Sequence, residues 1–119
     1  MKVVNENLDL MAKLMSMSTK RHAIHAANIA NINTPNYKAK ELRFEDAFRE
    51  AINSQGASAA LDTDSEVVES NAPKKADGNS VHLENEYNIM QKNQMMFNIY
   101  AQMLKHKMKS IKHAISATR

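Results

Sequence analysis

The chain has 119 residues, enough for one domain, and 16 lysines and arginines against 13 acids leave it a net charge of +3. Aromatic residues make up only 5%, two residues are glycine, and tryptophan and cysteine are absent. That composition excludes a disulfide framework, cysteine-held metal and a glycine-rich phosphate loop, and it favours long helices over sheets. No run of 18 apolar residues occurs, and Asn5, Glu6 and Asp9 interrupt the apolar start, so neither a membrane span nor a cleavable secretory leader is expected.

Val4, Leu8, Met11, Met15, Ser18, His22, Ala26 and Ile29 form one helical stripe, with Leu10, Leu14, Met17 and Ile24 beside it. This predicts a helix over about 5–32. Thr34 precedes Pro35 and is pushed toward extended backbone, so the helix must end by about Asn33. Asn31 and Asn33 are the candidate left-handed caps, and the stretch Ala27 to Lys38 then forms a turn over 33–38. Pro35 presets the second position of that turn, and Asn36 at the third supplies the positive φ of a type II turn. Phe44, Ala47, Phe48 and Ile52 suit a short helix over about 44–52. Residues 53–79 are rich in Ser, Ala, Asp, Asn and Lys, with Leu61, Val67 and Val68 as the large aliphatics, and are expected to form a long irregular, flexible segment in which Val67-Val68 seeds at most a short strand.

Leu83, Tyr87, Met90, Gln94, Phe97, Ala101, Leu104, Met108, Ile111 and Ile115 recur at alternating gaps of four and three, broken only by Gln94. They predict a second long helix over about 81–116, roughly 33 residues and about 50 Å in length. Ser80 is its candidate N-cap, with an alternative start nearer His82. Glu84 and Glu86 near its start and Lys105, Lys107, Lys109 and Lys112 near its end agree with its dipole. The fold class expected is therefore all-α: two long terminal helices paired as an antiparallel coiled-coil-like hairpin, with a short helix and a long irregular middle. In such a hairpin Leu10, Leu14, Met17, Met96, Tyr100 and Met103 stay largely exposed, so the unit reads as incomplete. Charge is segregated too. Residues 41–70 hold eight acids and two arginines, net −6, and residues 87–119 hold six bases and no acid, net +6.

The residues Ala27-Asn28-Ile29-Ala30-Asn31, then Thr34-Pro35-Asn36-Tyr37, resemble the signature of the bacterial flagellar axial proteins, the rod and hook family, in which glycine usually stands where this chain has Asn36. Asp77-Gly78-Asn79-Ser80-Val81, Leu83, Glu86, Gln94, Tyr100, Leu104, Lys107 and Ala114-Ile115 resemble the C-terminal end of its proximal rod members. A sister rod protein would carry Asn-Val and Glu-Met pairs before its last helix, which are absent here. The resemblance, over residues 8–50 and 77–116, implies a single rod-type domain over 1–119 and a structural subunit of the basal-body rod that polymerises through its terminal helices. It also implies export by the flagellar export apparatus without a cleaved leader, a periplasmic rod location, and partners that are other copies and other rod proteins. On that basis Leu8, Met11, Met15, Ile29, Phe97, Leu104, Met108, Ile111 and Ile115 are the candidate packing and polymerisation residues, and Asn28, Asn31, Thr34, Pro35, Asn36 and Tyr37 the turn residues.

Enzymatic chemistry has little support. His22 and His25, and His106 and His113, sit at spacings that share a helix face, but no acidic partners or metal-protease pattern accompany them, so surface roles are expected and no metal or cofactor. Glu45-Asp46 and Glu84/Glu86 diverge on their helices and cannot clamp a small-molecule substrate. Ser16, Ser18 and Thr19 read as helix-surface hydroxyls. The basic run Lys105 to Lys112 offers the second reading, a small nucleic-acid-binding helix. Its lysines spread around the helix and arginine is scarce, so no nucleic-acid partner is expected.

Overall fold

The computed structural model describes residues 2–118, with side chains from Asn5 to Thr118, so the Val4 position of the predicted stripe lies outside the described side chains. Two long helices dominate: α1, Lys2–Ala30, and α4, Leu83–Ala117. Between them come β1 (Lys40–Arg43), α2 (Glu45–Gln55), α3 (Ala57–Leu61) and β2 (Glu66–Glu69). The strands pair antiparallel, with Leu42 opposite Val67 and with Lys40 and Arg43 opposite Glu69 and Glu66. Opposite charges across a strand pair favour that register. The fold is therefore mostly helical, and the all-α expectation is corrected by this small ribbon. Residues 53–79 are likewise not irregular throughout, because α3 and β2 lie within them.

α1 and α4 pack antiparallel. Ser18 meets Asn93 and His25 meets Glu86, so each seven-residue step along one helix is matched by a seven-residue step along the other. Continued to the start of α1, that register reaches about residue 109 of α4, and the last two turns of α4 run past the hairpin. The molecule measures 67 × 27 × 14 Å, with a radius of gyration of 18.2 Å. A compact chain of this length would have about 13–14 Å, so much of the surface stays unfolded onto nothing.

The middle of the chain covers the second stripe of α1. Phe44, Phe48 and Ala60 form the apolar core, with Leu10, Leu14, Met17 and Ala51 packed against it. The Phe44 and Phe48 rings, one turn apart on α2, lie 5.0 Å centre to centre. Leu10, Leu14 and Met17 are thus not left exposed as the hairpin alone would require, since a short α2 can anchor by two phenylalanines where a chain of smaller side chains could not. Gly56, at φ +88°, ends α2 and turns the chain into α3; an alanine there would meet no atom, only backbone strain. Polar side chains of α1 fasten the module: Lys13 Nζ donates to the Leu61 carbonyl at 2.7 Å, Lys20 Nζ to Ser65 Oγ at 2.8 Å, and Arg21 reaches both the Leu42 carbonyl and the Glu45 carboxylate.

Truncation of Phe48 removes half of this small aromatic core, and Phe48→Ala is expected to cost about 3 kcal/mol. Urea unfolding followed by circular dichroism checks this; a loss under about 1 kcal/mol would show that the α2 module contributes little to holding α1.

Candidate functional site

The turn that joins α1 to β1 is built from its own sequence and locked by a distant one. Thr34 and Tyr37 close it, with the Tyr37 N–H donating to the Thr34 carbonyl at 3.2 Å, and Asn36 takes φ +62°, as a type II turn requires at its third position. The expected left-handed caps at Asn31 and Asn33 are not found, because among the described non-glycine residues only Asn36 has a positive φ. The helix instead ends in tighter bonds, with Asn31 N–H donating to the Asn28 carbonyl and Ile32 N–H to that of Ile29. Asn31 Nδ2 returns to the Ala27 carbonyl at 2.8 Å, and Thr34 Oγ1 to Asn31 Oδ1 at 3.2 Å. Pro35 is exposed.

Three carbonyls of the turn also accept from Asn79. Its side chain is fully buried, and its Nδ2 donates to the carbonyls of Asn31, Ile32 and Thr34 at 2.9, 3.1 and 2.7 Å. Its Oδ1 accepts from the Val81 N–H, and the Asp77 carboxylate holds its own N–H. The backbones join alongside: Asn36 N–H donates to the Asp77 carbonyl and Ser80 N–H to that of Tyr37. Ser80 Oγ accepts from the Ala39 N–H at 2.8 Å, so Ser80 is committed to this latch and is not the N-cap of α4. His82 occupies the cap position with no side-chain cap bond, its ring bonding the Pro73 carbonyl instead. Gly78, at φ +82°, lies against the turn so closely that a Cβ would stand 2.2 Å from Asn36 Oδ1.

Next to the latch, the helix interface is polar. Asn28 is fully buried; its Nδ2 donates to the Lys40 carbonyl at 2.8 Å and its Oδ1 accepts from the Lys40 N–H at 3.0 Å, so it pairs with β1 as another strand would. The same Nδ2 lies 3.1 Å from Glu86 Oε2, which His25 Nδ1 approaches to 2.5 Å, and the Tyr37 hydroxyl reaches Asn28 Oδ1 at 3.4 Å. Asn93 Nδ2 donates to the Ser18 carbonyl at 2.8 Å. No buried side-chain nitrogen or oxygen among the described residues lacks a partner. Such a network is compatible with stability only when complete, since one orphaned member costs more than the network gains.

The facing seam of α4 is therefore rotated from the predicted one. Glu86 and Asn93 are buried, while Leu83 and Tyr87 are more than half exposed and Gln94 is exposed. His25 is a buried interface residue, which corrects its expected surface role, and Ser18 is buried too; His22, His106 and His113 are exposed. The four histidines are not brought together, and no cluster able to hold a metal exists among the described residues. Of the candidate packing residues, Leu8, Met11, Met15, Ile29, Phe97, Leu104 and Ile111 are half-buried, and Met108 and Ile115 are 58% and 50% exposed. Sequence reasoning named Asn79 only within the resemblance and passed over its buried role, Asn93 and the pairing of Glu86 with His25. Their signal was present as a polar repeat of seven, Asn79-Glu86-Asn93 on one strand of the hairpin and Ser18-His25 on the other.

A groove of about 390 Å³ opens beside this seam, between α1, α4 and the start of α2, lined by Ser18, Arg21, Glu45, Lys92, Asn93 and Tyr100 among others. Burial pushes the Tyr100 hydroxyl above its usual pKa, Glu45 pushes the same way, and Arg21 opposes. No helix among the described residues is long and apolar enough to cross a membrane.

Asn79→Ala removes three hydrogen bonds at once, leaves the Ile32 carbonyl without a donor, and is expected to lower stability by about 2 kcal/mol in denaturant unfolding. Gly78→Ala adds a steric clash to backbone strain. Asn36→Gly introduced with it should recover the clash part, so the double variant is expected to be more stable than Gly78→Ala alone; purely additive losses would show that the two residues do not meet.

The model of the family described as flagella basal body rod protein matches residues 15–38, the second half of α1 and the latched turn. The flagellar basal body rod protein FlgB of Borrelia hermsii is 26% identical over 130 aligned positions, covering 93% of this chain and 96% of that protein. The flagellar basal body rod protein FlgB of Aeromonas hydrophila is 26% identical over 113 positions, covering 85% of this chain and 86% of its own length. The family signature thus falls on the very turn that closes the hairpin, and the chain is similar to these flagellar basal-body rod proteins across both terminal helices.

Proposed function

We propose that the chain is a structural subunit of the flagellar basal-body rod, without enzymatic activity, whose two terminal helices form the packing core of a hollow shaft. The observation that carries this reading is the unfinished surface of α4. Ile89, Met96, Ile99, Met103, Met108 and Ile115 are 36–58% exposed along one helix of a subunit only 14 Å thick. A lone domain rarely leaves so many large apolar side chains exposed along one helix, and neighbouring subunits that covered them would supply the burial the monomer lacks.

In this reading Leu8, Met11, Met15 and Ile29 on α1, with Phe97, Leu104, Met108, Ile111 and Ile115 on α4, serve packing within and between subunits. The turn residues Asn28, Asn31, Thr34, Pro35, Asn36 and Tyr37 hold the hairpin closed. Partners are further copies and other rod proteins, reached after passage through the flagellar export apparatus without a cleaved leader, and the location is the periplasmic section of the basal body. The lysines of α4 then act in contacts between subunits rather than on nucleic acid, because Lys105 and Lys112 lie on one edge of the helix, Lys107 on the other and Lys109 behind.

Deletion of this chain is expected to abolish rods and swimming, with rescue by the native sequence. Met108→Asp and Ile115→Asp change exposed positions, so each purified variant should keep native helicity by circular dichroism yet fail to rescue. The predicted seam positions Leu104→Asp and Ile111→Asp should fail as well. Normal rods in all four variants would remove α4 from the assembly.

A further inference from the structure

We propose that the outer edge of β2 takes up an extended segment of another protein as a third strand, and that this segment carries basic residues on either side of an apolar one. β2 lies in the middle module, so the contact is separate from any packing of the terminal helices. In an antiparallel pair, directly opposite residues alternate between exchanging both backbone bonds and exchanging none. The Ser70 N–H donates to the Ala39 carbonyl at 2.7 Å, so in the observed register Glu41 with Val68 and Arg43 with Glu66 are the bonded pairs. The N–H and C=O groups of the other residues point away from the partner strand, those of Lys40 and Leu42 on β1 and those of Val67 and Glu69 on β2.

The two edges of the ribbon differ. α1 closes that of β1, where Asn28 holds both the N–H and the carbonyl of Lys40 and Arg21 takes the Leu42 carbonyl. On the β2 edge, no hydrogen bond among the described residues reaches the outward groups of Val67 and Glu69, and the Val67 side chain is 45% exposed. An edge left open in this way can pair with an extended chain through main-chain bonds.

Charge selects the partner. From Leu61 to Pro73 the chain has four acids, Asp62, Asp64, Glu66 and Glu69, and no base, and all four acids are exposed. Of these, among the described residues, only Glu69 is in an ion pair, with Lys38 at 3.8 Å. The nearby cations Lys38, Lys40 and Arg43 stand on the β1 side, behind the open edge, and Lys20 is bonded to Ser65 Oγ. Pairing of β2 with β2 of a second copy would lay an acidic strand against itself in every register, so charge disfavours that occupant. The segment that fits has a base opposite Glu66, an apolar residue opposite Val67 and a base opposite Glu69.

The probe is a short synthetic peptide with Lys-Val-Val-Lys at its centre, which offers the same charges in either strand direction, and its control has Glu-Val-Val-Glu there. Titrated into the full chain, the lysine peptide is expected to slow amide exchange at Val67 and Glu69, the two β2 amides that the ribbon does not use, and the glutamate peptide to leave them unchanged. Val67→Pro removes one of those outward N–H groups without touching the bonds to β1, so helicity should be kept while binding of the lysine peptide, followed by fluorescence anisotropy, falls about tenfold. Glu66→Lys with Glu69→Lys should weaken the lysine peptide about fivefold and make the glutamate peptide the better ligand. Unchanged exchange at Val67 and Glu69 under millimolar lysine peptide would overturn the proposal, as would equal binding of the two peptides by the native chain, or of the lysine peptide by the native chain and Val67→Pro. Protection of both amides before any peptide is added would assign the edge to a second copy and overturn it as well. If Val67→Pro disturbs the fold, the exchange measurement and the charge reversal decide without it. None of these outcomes bears on the subunit reading, which rests on α4.

Discussion

A helix that ends inside a protein leaves carbonyls without partners, and in this chain a single carboxamide more than forty residues away resolves the problem. Asn79 Nδ2 bonds three carbonyls of the turn just past α1, at Asn31, Ile32 and Thr34, while its Oδ1 holds the backbone that leads into α4. Everything else at the closed end follows from that. With the two chain segments clamped side by side, Gly78 must be glycine, Asn36 must turn left-handed, and Ser80 faces Ala39 rather than the helix it precedes. The turn is thus one half of a two-part structure, and the Asp77-Gly78-Asn79-Ser80 segment is the other.

The latch also sets the register of the long helices, and the polar seam keeps it. A strictly apolar interface between two helices tolerates slippage by a heptad, because one leucine resembles another. Here a slip of seven would part Glu86 from His25 and Asn28 and Asn93 from Ser18, breaking the bonds of the buried seam at a cost of roughly a few kcal/mol. The network contributes little net stability against an apolar substitute, but it makes the alternatives expensive. A fixed register of this kind makes the helices present the same outer faces in every copy of the chain.

The local chemistry of the turn could be read directly, and the pairing of the helices could not be read in phase. Pro35 and Asn36 dictate their own backbone angles, so the positive φ at Asn36 followed from two residues. The seam of α4 was placed on Leu83, Tyr87 and Gln94 because hydropathy rewards large apolar side chains, whereas the buried positions are Glu86 and Asn93. An interface made of asparagine, glutamate and histidine gives no apolar signal; only its spacing of seven betrays it. The middle of the chain was missed for another reason. Its elements are four or five residues long apart from α2, and they persist because Lys13, Lys20 and Arg21 of α1 bind them, contacts between residues 21–48 positions apart that no local pattern encodes.

Those same contacts explain why the subunit is lopsided. The α2 module spends its two phenylalanines on the Leu10, Leu14 and Met17 side of α1, which leaves nothing to cover the corresponding side of α4. One helix is sheltered on both stripes, while the other packs on α1 along its seam and leaves Ile89, Met96, Ile99 and Met103 exposed beside it. A symmetric bundle would have closed this surface within the chain and ended as a monomer. By completing the core on one helix only, the fold keeps a registered subunit while the other helix still has apolar surface to bury, which is the surface the proposed packing between subunits would cover.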